Sequence, residues 1–187
     1  MIQSQNVKNL SILIAFGVIM YFINKFYKGV GLISVESFNG TSFYVRNLSD
    51  KQEASDLLGV LKAKIDTLIA SDSSELTKKI KRNFNSSNLK EGKSESKLVT
   101  YTLNKAEIVL CLRDKQTHKL HTPNLLMYVV IHELAHISSN SIGHTPEFYV
   151  NFKKLLDVSE DLGIYEKQNF KAFPRKYCGI NITTSLG

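Results

Sequence analysis

Apolar residues fall along this chain in patterns of different period, and each pattern predicts an element. Leu10 to Tyr27 is almost wholly apolar, with no charge before Lys25. A run of that length is about long enough to cross a bilayer. Tyr21, Phe26 and Tyr27 sit where interfacial aromatics gather, and Lys25 and Lys28 stand at its end, so residues 1–28 read as a single-pass membrane anchor with residues 10–27 in lipid. Residues 29–41 read as a spacer, and Ser42 to Asn47 as a short strand. From Asp50 to Ser71, Leu57, Leu58, Leu61, Ile65, Leu68 and Ile69 recur at helical spacing and form one stripe for a core. A second helix is expected from Ser74, with Leu76, Ile80 and Phe84 on one face, and the polar stretch Asn85 to Ser96 reads as a mobile surface loop. Leu98 to Leu103 and Glu107 to Leu112 flank Asn104-Lys105-Ala106, the signature of a β-hairpin.

Leu125 to Ile137 is apolar nearly all round, which marks a buried helix, yet it carries His132, Glu133 and His136. On a helix, positions i and i+4 share a face, so the two histidines can offer nitrogens to a single ion. Glu133 lies about 100° round the helix, placed to act on a water as a base without binding the metal. The rival reading is a core helix whose histidines are satisfied by backbone carbonyls. A catalytic zinc takes three protein ligands and keeps one position open. His144 is the choice for the third: Ser138 to Gly143 are small and polar enough to turn the chain, and Thr145 with Pro146 then reads as the cap and first residue of another helix. Glu147 and Glu160 compete for that role. Phe148, Phe152, Leu155, Leu156 and Leu162 make the stripe of the second helix, packed under the site and closed by Gly163.

Composition narrows the classes. The 187 residues are 43% hydrophobic and 22% charged, a globular balance that excludes a disordered tail. The net charge of +7 gathers at Lys78 to Arg82, at Lys90, Lys93 and Lys97, and at Lys171, Arg175 and Lys176. It reads as a solvated surface, with an anionic membrane as the functional alternative; only Phe84 interleaves with these cations, which argues against nucleic acid. Cys111 and Cys178 do not resemble a disulfide framework and point to a reducing compartment. Lys25 and Lys28 outnumber Lys8 across the apolar run, which sets the domain on the cytoplasmic side, whereas sequons at Asn39, Asn47, Asn85 and Asn181 argue the other way. His118 and His121 read as exposed loop residues. Tyr165 and Tyr177 are candidates for a phenol that stabilises an oxyanion.

The segment His132-Glu133-Leu134-Ala135-His136 followed by Gly143-His144-Thr145-Pro146-Glu147-Phe148 resembles the zincins of the SprT, WLM and YgjP-like groups, over roughly residues 98 to 165. Seven residues separate His136 from His144, a wider gap than the metzincin pattern has. The resemblance implies an α+β domain over residues 42–187, with helices on a short β-sheet and the metal helix followed by a second. It implies one zinc ion on His132, His136 and His144, Glu133 as general base, and a polypeptide substrate lying along the strand at residues 107–112. With the apolar start and the ending Pro174 to Ile182, the chain also resembles small membrane-anchored proteins of large DNA viruses that carry the same motif, which implies a virion membrane or capsid assembly. The expectation is a membrane-anchored zinc metallopeptidase. The alternative is a non-catalytic virion or minor capsid-type protein that retains a zincin fold.

Overall fold

Strand β1 (Leu32–Glu36) and strand β2 (Ser42–Arg46) pair antiparallel across a turn in which Gly40 takes a φ of 77°, a value that favours glycine. The computed structural model describes residues 31–71, 73–93 and 100–184, together with Gly17. Phe43 and Val45 of β2 point into the core while Ser42 and Tyr44 face out, the period-two pattern of a half-buried strand. Helix α1 (Lys51–Ser71) follows and buries Leu57, Leu58, Leu61, Ile65 and Leu68, as their spacing predicts. The Ser55 hydroxyl donates to the Val35 carbonyl at 2.7 Å and ties this helix to β1. Helix α2 (Glu75–Asn83) starts at Ser74, whose hydroxyl accepts from the Thr77 N–H, and ends at Phe84.

Strand β3 (Leu89–Glu91) then runs parallel to β2 on one side and to β5 (Glu107–Leu110) on the other, and β4 (Tyr101–Leu103) pairs antiparallel with β5. The mixed sheet therefore has the order β1-β2-β3-β5-β4. Asn104 and Lys105 turn the β4–β5 hairpin with φ of 50° and 60°, the left-handed region that asparagine tolerates better than most residues. Helix α3 (Pro123–Ser138) is buried along nearly its whole length and lies against α1, α2, β4, β5 and helix α4 (Pro146–Asp161). The chain closes with a small hairpin of β6 (Arg175–Tyr177) and β7 (Ile180–Ile182).

The architecture is α+β, but several expectations need correction. Among the described residues no helix is long and apolar enough to cross a membrane, so the expected transmembrane helix is not part of this fold. Of its residues, 10–27, all but Gly17 lie outside those described. The spacer at 29–41 contains β1, and the expected loop at 85–96 contains β3. Both are short and polar on one side: Leu89 and Glu91 are buried while Lys90 is half-buried, and β3 exists because two neighbouring strands complete its hydrogen bonds. Strand β5 has neighbours on both edges and cannot accept an added strand; β4 is the terminal strand of the sheet. Cys111 and Cys178 form a disulfide across 67 residues, with Cα atoms 6.0 Å apart. Joined in this way, the two cysteines do not indicate a reducing compartment. The pairing depends on the C-terminal hairpin returning to the end of β5, which no local sequence signal announces.

Candidate metal centre

Helix α3 is where the chemistry begins. Thr122 caps its start, accepting from the Leu125 N–H, and Pro123 occupies the first turn. One helical turn apart, His132 and His136 bring their Nε2 atoms to 3.2 Å, and His144 Nε2 stands 3.1 Å from that of His132. The three ring centroids lie 4.9, 5.0 and 5.0 Å apart, a nearly equilateral triangle. Neutral imidazoles cannot all point N–H groups at one another over such distances, so lone pairs must share the space between the rings. A four-coordinate zinc with Zn–N bonds of about 2.0–2.1 Å spaces its nitrogens roughly 3.3–3.4 Å apart. The triad fits that geometry with little movement.

Phe148 floors the triangle, stacked on His136 at 4.3 Å and edge-on to His132 and His144 at 4.8 Å each. Burial, then His136 and His144, hold His132 down to about 3, and burial with His144 and Lys105 holds His136 at about 4. Both rings are therefore neutral near pH 7, the form that ligates a metal. Of the residues expected to compete for the third ligand, neither carboxylate joins the cluster.

Glu147 has a different task. Its carboxylate accepts from the Asn140 N–H at 2.8 Å, the Asn140 side chain at 3.0 Å, the Ser141 N–H at 3.0 Å and the Ser141 hydroxyl at 2.7 Å. The backbone N–H of Asn140, then the hydroxyl and N–H of Ser141, hold it down to about 2. Thr145 caps α4 by accepting from the Phe148 N–H, and Asn151 donates to the Ser139 hydroxyl at 3.0 Å. These bonds fix the bend between α3 and α4, with Gly143 at a φ of 83°, and so place His144 over the other two rings. Glu160 lies near the far end of α4.

Glu133 is buried, and burial raises its carboxyl above the usual range, opposed by the hydrogen bond that the Thr102 hydroxyl donates to Oε2 at 2.6 Å. Thr102 sits on β4 and had no signal in the sequence beyond its place in a strand. The histidines and Glu133 lie where two cavities meet. One, of about 500 Å³, runs between Tyr101 and Thr102 of β4 and the loop at Ile142. The other, of about 370 Å³, lies between α3 and the C-terminal hairpin, with Tyr128, Tyr177 and Ile180 on its walls. Thr100, His132, Glu133 and His144 line both.

Of the two tyrosines, Tyr177 reaches this second cavity and its hydroxyl shares a 2.5 Å hydrogen bond with that of Thr100. Burial pushes its phenol strongly up. Tyr165 is not brought to the site: it packs in the core against Tyr128, ring centroids 6.0 Å apart. His118 is exposed in a turn, and His121 packs on the Tyr177 ring at 5.0 Å; neither belongs to the triad.

The chain is 33% identical over 188 residues to an uncharacterized protein of Acanthamoeba polyphaga mimivirus, with 95% of each covered. It is 38% identical over 81 residues to an uncharacterized protein of Invertebrate iridescent virus 6, covering 42% of this chain and 44% of that one. An uncharacterized protein of Invertebrate iridescent virus 3 matches at 42% over 81 residues, 43% of this chain and 50% of that one. No protein-family model matches the chain. No solved structure matches it.

Proposed function

We propose that this chain, which belongs to the same family as the mimivirus protein, is a zinc-dependent metallopeptidase of the zincin kind. The observation that carries the reading is the convergence of three imidazole nitrogens beside a buried carboxylate, at the junction of two cavities that together make a cleft. His132, His136 and His144 would hold the ion. Bound there, zinc supplies a Lewis acid that acidifies water and polarises a carbonyl.

The remaining steps belong to the chain itself. The Thr102 hydroxyl holds Oε2 of Glu133, leaving the other carboxylate oxygen to take a proton from water and return it to the departing amine. Burial strengthens Glu133 as a base by raising its affinity for that proton. The phenol of Tyr177, oriented by Thr100, is the donor on the cleft wall for a developing oxyanion. Terminal strand β4 lines the cleft at Tyr101 and Thr102, where an extended polypeptide can lie.

The test combines elemental analysis with cleavage of casein and a peptide library. Glu133→Gln is expected to keep zinc and lose turnover by about 10²–10⁴-fold. His132→Ala and His136→Ala are expected to lose zinc. A Glu133→Gln protein that cleaves at the parental rate overturns the assigned base. Parental protein that holds zinc and cleaves nothing favours a scaffolding role for the metal.

A further inference from the structure

A third cavity of about 170 Å³ opens among β2, β3, β5 and the turn after β5, and it shares only Tyr101 with the histidine cleft. Four cationic side chains line it: Arg46, Lys93, Arg113 and Lys115. Arg113 is only 3% exposed. Its Nε donates to Glu91 at 2.8 Å and its Nη1 to Asp50, but Nη2 is buried without an acceptor, and so is Nε of Arg46.

Two carboxylates share the wall, Glu91 with both oxygens engaged and Asp114 with one. Glu91 spends one oxygen on Arg113 and the other on the Arg46 N–H at 2.8 Å. Asp114 accepts through Oδ1 from the Gln116 N–H and from the N–H and hydroxyl of Thr117. Among the described residues no ion pair reaches Arg46, Lys93 or Lys115. The cavity thus holds a surplus of donors and positive charge, with two buried guanidinium N–H groups unanswered. Buried donors of that kind are normally satisfied. A single water can answer one of them, whereas an oxyanion carries enough lone pairs to take both guanidiniums and a lysine at once.

We infer that this cavity is a binding site for a phosphate-type oxyanion, independent of the metal centre. The disulfide partners Cys111 and Cys178 form part of its wall and hold the C-terminal hairpin against it.

The experiment titrates inorganic phosphate into the full chain at constant ionic strength, with chloride as the control, and reads binding by calorimetry. Saturable binding of one phosphate per chain is expected. Affinity should fall by roughly tenfold or more in Arg46→Gln and again in Lys115→Gln, the scale of a lost charge-assisted contact, and stay unchanged in His144→Ala. Circular dichroism and thermal melting of each variant establish that it is folded; Arg113, set in a buried ion cluster, is left intact. Phenyl phosphate in a parallel arm separates the sources. Binding as tight as that of inorganic phosphate supports a phosphoryl group carried on a larger molecule, and binding of inorganic phosphate alone supports the free ion. No saturable binding, equal affinity in Arg46→Gln and Lys115→Gln, or loss of binding in His144→Ala overturns the assignment.

Discussion

Thr102 donates a hydrogen bond that orients Glu133, and it does so from a strand thirty-one residues away in sequence. Removing the hydroxyl while keeping the shape should therefore loosen the proposed base without touching the three histidines. Thr102→Val is expected to retain zinc and lower kcat by about tenfold, with Thr102→Ser restoring it; steady-state kinetics with metal analysis read both. An unchanged kcat in Thr102→Val removes the positioning role. Arg113 offers a second test at this scale. Truncating it to alanine leaves Glu91, 1% exposed, as an unpaired buried charge, which should cost about 3–5 kcal/mol in a urea titration. The histidine pair was legible because helical spacing alone puts His132 and His136 on one face. Thr102 and Arg113 were not, because their partners are set by which strands meet which helices.

At the scale of elements, the bend between α3 and α4 decides whether His144 reaches the other rings. The composition of Ser138 to Gly143 and the Thr-Pro start of α4 made that bend readable, but Glu147 entered the sequence reading as a rival ligand and emerges as its clasp. Its carboxyl is depressed to about 2 by N–H and hydroxyl donors, so its stabilisation is complete above the ordinary carboxylate value and is lost as pH falls from there toward 2. Thermal melts of the metal-free protein should show Glu147→Gln less stable than the parent at neutral pH, with the gap narrowing between about pH 4.5 and 2. Zinc affinity should also fall in this variant, since a loosened bend leaves His144 less well placed. A gap that stays constant through that pH range contradicts the clasp. Strands β1 and β3 escaped the sequence reading because they are short and owe their order to neighbours. Helices α1 and α4 carried their own periodicity and α3 a continuous apolar run, and all three were readable.

The described fold is a mixed sheet with helices packed on it, and its C-terminal hairpin is joined to the end of β5 by a covalent link. That hairpin supplies one wall of the cleft through Tyr177, Ile180 and Ile182. Cys178→Ser should lower stability by roughly 2–4 kcal/mol, as should reduction of the parent with a phosphine, both read by denaturant titration. A parent whose midpoint does not move on reduction contradicts a structural disulfide. The pairing needed a contact between residues 67 apart in sequence, and the apolar N-terminal run predicts a spanning helix, whereas among the described residues no helix is long and apolar enough to cross a membrane.

X-ray absorption at the zinc edge of the purified protein reads what the three imidazoles do together. The expected spectrum is that of one zinc per chain with three histidine nitrogens at about 2.0–2.1 Å and a single light oxygen donor from solvent. A spectrum showing sulfur, a carboxylate filling the fourth position, or fewer than three imidazoles would contradict it.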